Sequence, residues 1–372
     1  MLTSDVLGKV IAQVKELAAH SWEYGTAAEA LLEFDTPGLS VFGKDPFPGD
    51  NLPTFCIEEV QSLKYARQHI KTDEKTLCDD ETGVADPAAL GVFAIFIGQS
   101  ERSYLDAAHR QIAYLMDEAP RYRSGQAISH RKDVEEVWAD FIYMVPPFLA
   151  YYAVAVKDVA YMRAAIDQCI AYHGVLCTRS EDIDQGLWHH IAGPRNADAG
   201  YWSTSNGWVA AGLARVLAAL MSWAPTRGWC REAVKLQAMI QEVVDGVIVT
   251  DEGRRQQSLL PNYLHANGEH WFGEVSGTAL LASVVYRMAV LDPSRFVAKC
   301  GRADVSYVDW ADNKRMAVYA CVDQVSGIAT PAVNPLKHTQ RTPLTGGSPE
   351  GQSFVILLWS AHRDYMHAMG LS

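Results

Sequence analysis

Residues 135–154 read EEVWADFIYMVPPFLAYYAV. Trp138, Phe141, Ile142, Val145 and Leu149 recur at helical spacing, and Tyr143, Met144 and Tyr151 fill the opposite side. A helix that is apolar on every face is buried on every face. Two features interrupt the pattern. Pro146 lacks an N–H and its ring clashes with the preceding turn, so the Pro146-Pro147 pair is expected to kink or break the helix. Asp140 is a carboxylate within the apolar run. Buried beside Trp138 and Tyr143, it should have a raised pKa and stand protonated at neutral pH, as a general acid must. The structural alternative is a carboxylate paired with Arg131, Lys132 or a backbone amide.

Outward from this stretch, helical patterns dominate the 372 residues. They predict helices near 4–19, 55–70, 86–98, 101–118, 135–154, 157–172, 204–223, 228–248, 274–290, 306–322 and 350–368. The helices arrive in pairs of two kinds. YLDAAHRQIAYLMDEA and REAVKLQAMIQEVVDGV are charged and amphipathic, whereas NGWVAAGLARVLAAL and GTALLASVVYRMAVL are apolar nearly throughout. Alternating outer and inner helices describe an all-α fold, a closed double ring. No composition shift marks a linker, so residues 1–372 are expected to form a single domain.

A net charge of −12 argues against general nucleic-acid binding, which needs basic surface. No window approaches the roughly 18 apolar residues of a membrane span, and the N-terminal stretch reads as an amphipathic helix rather than a signal peptide. The seven cysteines form no CxxC pair, which suggests neither a zinc site nor a disulfide framework and fits a reduced, cytoplasmic setting. Cys169 and Cys177 read as inert core thiols. The ten tryptophans suit sugar stacking as well as they suit core filling.

Long polar loops at 34–53, 189–205 and 334–351 precede or follow the apolar helices. The helix starts WAD (138–140), YWSTSNGW (201–208), FGEVSGT (272–278) and GGSPEGQS (346–353) are polar. One such start is a cap. Four at one end of a ring suggest a lined pocket. Asp86, before Pro87, is a second candidate acid whose simplest reading is a helix cap. His130, Arg131 and Lys132 cluster in ISHRK, and His189 and His190 in LWHH. Adjacent histidines lack metal-ligand spacing, so substrate hydrogen bonding is preferred to a metal site. No phosphate loop, dinucleotide fingerprint or nucleophile elbow occurs, and no cofactor is expected.

Taken in order, HR…VWADFIYMVPPFLA, GLWHHIAG, YWSTSNGWVAAGLARVL, GEVSGTALLA and SPEGQSFVIL resemble the unsaturated uronyl hydrolases of glycoside hydrolase families 88 and 105, and family 105 more closely. The resemblance implies an (α/α)6 barrel. It also implies hydration of a vinyl ether, which removes a 4,5-unsaturated uronic acid from the non-reducing end of a lyase-generated oligosaccharide. Carried over by motif, Asp140 is the acid/base and Asp86 a second active-site aspartate. Trp138, His130, Arg131, His189, His190, Trp202, Thr204, Asn206 and Trp208 are substrate-binding. The partner implied is a small unsaturated oligosaccharide, bound by a monomer or homodimer. Thr204 stands where family relatives carry an arginine. Arg131, Arg195 or Lys337 must then supply the missing cation, or the sugar differs. Two other readings stay open. One is a related toroid with altered chemistry, an ordinary glycosidase or sugar isomerase. The other is a non-catalytic carbohydrate-binding protein.

Overall fold

A computed structural model of the chain describes residues 2–179, 184–252, 258–264 and 271–371. Six helices bury a single stripe: α1 (Ser4–Leu17), α3 (Gln61–Arg67), α5 (Arg102–Ala113), α7 (Val159–Leu176), α9 (Cys230–Asp251) and α12 (Tyr307–Ala320). Six are buried on most of their surface: α2 (Ser21–Asp35), α4 (Gly91–Gly98), α6 (Phe141–Val156), α8 (Ser203–Ser222), α10 (Val275–Leu291) and α13 (Pro349–Ala368). A four-residue helix, α11 (Pro293–Phe296), bridges α10 and α12.

The buried six form a closed ring. α2 packs on the turn that leads into α4, then α4 on α6, α6 on α8, α8 on α10, α10 on α13, and α13 back on α2. Each has an outer partner: α3, α5, α7, α9, α12 and, against α13, the N-terminal α1. This is the (α/α)6 barrel. Side-chain caps fix several starts, with Thr3, Asp158, Ser306 and Ser348 each accepting from a backbone N–H of the following first turn.

Several expected boundaries move. The 55–70 pattern divides into a 3₁₀ turn (Ile57–Glu59) and α3, and 86–98 begins with a 3₁₀ turn (Asp86–Leu90). The last residues of 101–118 form a π-helical turn (Tyr114–Glu118). The 135–154 helix begins only at Phe141, because Val137–Trp138 is a strand, β1. α2 was not expected at all.

The prolines do not break α6, which runs unbroken from Phe141 to Val156. Pro146 leaves the Ile142 carbonyl without its helical donor. At that point α8 presents Gly212, on which a Cβ would stand 2.1 Å from the Ile142 oxygen. The bare Cα lets α8 pack directly against the freed carbonyl, so the defect in one helix becomes the closest approach to the next.

The barrel has a polar floor. Arg215 on α8 meets Glu33 on α2 at 2.5 Å, and Arg287 on α10 bridges Glu33 and Asp364 at 2.6 Å each. Glu29, Arg215 and Arg287 are all buried, and Phe42 and Tyr143 cover the guanidinium groups. Burial beside Glu33 pushes Glu29 up to about 7 although Arg215 opposes it. These groups lie in the later turns of the inner helices, and the first turns face the other end.

No helix among the described residues is long and apolar enough to cross a membrane. All seven cysteines are free, and burial pushes the Cys177 thiol up to about 12.

Candidate active site

The first turns of the inner helices enclose a cavity of about 460 Å³. One wall is set by a short ladder. β1 pairs antiparallel with β2 (Ile191–Ala192) in the register Val137↔Ala192 and Trp138↔Ile191. Ala139 N donates to His190 O at 2.9 Å, which extends the ladder by one step. Asp140 and His190 are thereby adjacent although fifty residues apart in sequence. Asp140 precedes α6 rather than sitting within it. Its partner is neither Arg131, Lys132 nor a backbone amide.

That partner is His190, whose Nε2 lies 3.3 Å from Asp140 Oδ2. The imidazole Nδ1 lies 3.1 Å from Asp198 Oδ2. Asp198 Oδ2 also accepts from Tyr263 OH at 2.5 Å, and Tyr263 OH lies 2.8 Å from His338 Nδ1. Burial disfavours a charge on His190, but Asp140 and Asp198 outweigh it and hold the imidazole above its usual value. Burial likewise opposes ionisation of Asp198, and the hydrogen bonds from His190 and Tyr263 overcome it, holding Asp198 at about 2. Burial and the neighbouring His190 charge push His338 down to about 4. With Asp198 ionised, His190 donates through Nδ1. Its Nε2 faces Asp140 Oδ2. The other carboxyl oxygen, Asp140 Oδ1, is buried without a partner.

A second set stands opposite. Asp86 is buried, 3.1 Å from His130 Nε2 and 3.8 Å from Arg131 Nη1. Burial alone would raise its pKa, but the His130 and Arg131 charges lower it. The His130 ring stacks on Trp138 at 5.2 Å and 12°, and the Arg131 guanidinium lies 4.3 Å from the Trp138 ring centre. Trp138 is anchored from behind. Its Nε1 donates to Glu136, whose buried carboxylate also accepts from the backbone of Arg195 and Asn196 and from the Asn196 amide. Burial works against that carboxylate's charge, and the Asn196 hydrogen bonds outweigh it, leaving its pKa lowered.

Trp202, Trp208 and Trp22 complete the aromatic lining, and Met144 adds an apolar side chain. Trp208 is wedged between Tyr143 and Phe354, with ring centres 4.5 and 4.7 Å away. Trp202 is oriented by its Nε1 bond to Asn262.

Of the residues singled out by sequence, Asp140, Asp86, Trp138, His130, Arg131, His190, Trp202 and Trp208 share this cavity. His189, Thr204 and Asn206 do not line it. His189 turns away, stacking on Tyr201 and contacting Ala199 O at 2.6 Å. Thr204 is buried against Glu274, the cap of α10, at 3.3 Å. Asn206 joins the Trp188 backbone to Trp202 O through three hydrogen bonds. Both brace the wall without facing the lumen. Of the three alternative cations, Arg131 and Arg195 reach the cavity and Lys337 does not. Arg195 is half exposed and tied to Asp133. Sequence reading missed Trp22, Asp198, Tyr263, His338 and Glu350. Asp198, His338 and Glu350 belong to loops or helix starts singled out as polar or aromatic, Trp22 and Tyr263 to none of them, and nothing local tied the five together.

His190, Asp198 and His338 have ligand spacing for a metal, with donor atoms within 4.8 Å of one another. Their hydrogen bonds, together with Tyr263, already engage the facing lone pairs and protons. A second trio, His173, Cys177 and Glu242, lies on the outer helices α7 and α9, where His173 is paired with Glu242 at 3.0 Å.

The sequence pattern of Glycosyl Hydrolase Family 88 matches residues 58–289. No curated protein matches the chain. Solved structures share the fold end to end. A possible member of the GH105 family from Klebsiella pneumoniae superposes with a TM-score of 0.72 at 15% identity, covering 98% of this chain and 95% of that one. The family 105 glycoside hydrolase of C. acetobutylicum gives 0.67 at 14%, covering 98% and 100%. The unsaturated glucuronyl hydrolase of Bacillus sp. GL1, responsible for the degradation of glycosaminoglycan, gives 0.61 at 12%, covering 96% and 94%.

Proposed function

The chain belongs to Glycosyl Hydrolase Family 88 and is a glycoside hydrolase; for its reaction we propose hydration of the vinyl ether of a 4,5-unsaturated uronide, with Asp140 as the proton donor. The observation that carries this is the two-sided environment of Asp140. Oδ2 lies 3.3 Å from His190 Nε2, and Oδ1 is buried without a hydrogen-bond partner. Such a carboxyl can give a proton to a carbon and take one from water.

In the proposed sequence Asp140 protonates C4 of the double bond, and positive charge develops at C5 and the ring oxygen. Water adds at C5 and returns its proton to Asp140. The C5 hemiketal opens by loss of its bond to the ring oxygen, which takes up the proton. The C1 hemiacetal so formed collapses to the aldehyde and releases the aglycone alcohol. His190, fixed by Asp198, supplies and accepts charge as Asp140 cycles. Asp86 remains ionised under His130 and Arg131 and suits orientation of the water.

The substrate is an anion, and Thr204 provides no cation. Arg131 is the lining guanidinium best placed to meet a carboxylate. The N-terminal ends of α2, α6, α8 and α13, with the turn at Asp86, also converge on the cavity. Their partial positive charge adds to the field without an arginine at position 204.

The test is the ultraviolet absorbance of an unsaturated galacturonyl–rhamnose disaccharide over time. Decay with the wild type and none with Asp140→Asn is expected. Failure to consume any unsaturated galacturonyl or glucuronyl end, or turnover of a saturated aryl glycoside instead, would sink the proposal.

A further inference from the structure

Glu350 occupies the second residue of α13 and lines the same cavity as Asp140. It is almost wholly buried, at 1% exposure. Its Oε1 accepts from Trp22 Nε1 at 2.8 Å. Its Oε2 is buried with no hydrogen-bond partner. A lone buried carboxylate oxygen is costly when nothing satisfies it. A group meant only to cap α13 would not carry that cost, because Ser348 already accepts from Gly351 N.

The charged groups that bear on Glu350 are Glu23 on α2 and Asp140 at the start of α6, and both are acids. Among the described residues no lysine, arginine or histidine lies within ion-pair distance of it. Glu23 is held by Ala19 N, His20 N and the His20 ring. The first turn of a helix favours an anion. Here burial and the neighbouring Glu23 carboxylate prevail and push Glu350 up to about 8.

We propose that Glu350 is a substrate-contacting residue that works as a neutral carboxylic acid: Trp22 holds Oε1, and Oε2 donates its proton in a hydrogen bond to an oxygen of the bound sugar. This rests on the uronide reading only for the identity of that sugar. The neutral acid adds a donor to a site for an anion without adding the repulsion of a third carboxylate. It also joins the two ends of the ring, since Trp22 belongs to α2 and Glu350 to α13.

The experiment compares the wild type, Glu350→Gln and Glu350→Ala in calorimetric titrations with galacturonate, a saturated ring that cannot be hydrated. Glutamine reproduces both bonds of the neutral acid, its carbonyl facing Trp22 and its amide replacing Oε2–H. At pH 6, Glu350→Gln should bind within about threefold of the wild type and Glu350→Ala at least tenfold more weakly. At pH 9 the wild type should weaken and Glu350→Gln should hold, so that their order reverses. Thermal melting, which needs no ligand, should show Glu350→Gln gaining on the wild type from pH 5 to pH 9. Equal binding by Glu350→Ala and the wild type overturns the contact. Binding by Glu350→Gln as weak as that of Glu350→Ala overturns the neutral form. No binding of galacturonate by the wild type overturns the sugar contact. Turnover of the unsaturated disaccharide is scored separately, so loss of the reaction reading with galacturonate binding intact leaves this inference standing.

Discussion

Gly212→Ala should damage stability and activity together, and the structure sets the scale of both. The added Cβ would stand 2.1 Å from the Ile142 oxygen, 2.5 Å from its carbon and 2.8 Å from Tyr143 N. All three are backbone atoms of α6, so no side chain can swing aside. An ordinary carbon–oxygen contact is about 3.3 Å. Restoring it from 2.1 Å moves α6 and α8 apart by about 1.2 Å. Overpacking of this kind costs about 1–3 kcal/mol, and the gain in helix propensity returns at most about 1 kcal/mol. At roughly 2.1 cal/mol/K per residue of unfolding entropy, 372 residues give about 0.8 kcal/mol/K, so Tm falls by only about 1–3 °C. Activity should fall far more. Ile142 is two residues from Asp140, whose contact with His190 is already 3.3 Å. A displacement of about 1 Å at a reacting group costs on the order of 10²-fold. The assay is kcat/KM on the unsaturated disaccharide beside a melting curve. Gly207→Ala on the same helix is the control, because its Cβ meets only the flexible Leu280 side chain at 3.2 Å. Wild-type kcat/KM in Gly212→Ala, or equal losses in the two variants, would refute the argument that this crossing positions Asp140.

Asp198→Asn removes one of the two charges that hold His190 up, so the alkaline limb of the kcat/KM profile should move to lower pH, with KM at pH 5 little changed. A profile that keeps its alkaline limb would disconnect His190 from the chemistry. Glu33→Ala leaves Arg215 only Glu29 and Arg287 only Asp364 in the floor of the barrel and should cost about 3 kcal/mol in urea unfolding; a loss below about 1 kcal/mol would mean that water already enters there. Glu29 has a folded value of about 7 against 4.5 for the free group, so its contribution is lost progressively where only the unfolded chain is ionised and is least above about 7. Stability should therefore fall as pH rises from 4.5 towards 7, by up to about 3 kcal/mol for 2.5 units. Glu29→Gln should flatten that slope, and an unchanged slope would assign it elsewhere.

The inner helices α6, α8 and α10 were legible because an unbroken apolar surface has no other place to go. Asp140 was legible because it stands out against its apolar neighbours in sequence, whereas His190 was marked only together with His189. α2 was not, for an opposite reason. Glu23, Glu29 and Glu33 break its apolar pattern, and their partners include Arg215 on α8 and Arg287 on α10, which no local window contains. The same holds for Asp198, Tyr263 and His338, which meet only when three loops converge. Thr204 and Asn206 failed differently. Successive residues of a helix point about 100° apart, so membership of a helix start does not say which side chain faces the lumen and which faces the neighbouring helix. Glu350 lay in a quoted polar start, where an acidic residue reads as a favourable end charge. Its burial beside Glu23 appears only when α2 and α13 are brought together.

The pairing of α1 and α2 with α13 also has a consequence for biosynthesis. The seam of the ring joins α2 to α13, and the Trp22–Glu350 bond spans 328 positions. Loop closure of that length comes late in folding. A chain still on the ribosome with α2 through α10 made would hold the face of α2 that awaits α13 open to water. The cavity would lack a wall until α13 emerged. A partly synthesised chain would thus be both inactive and adhesive, and the step that completes the pocket is the same step that covers the open face of α2.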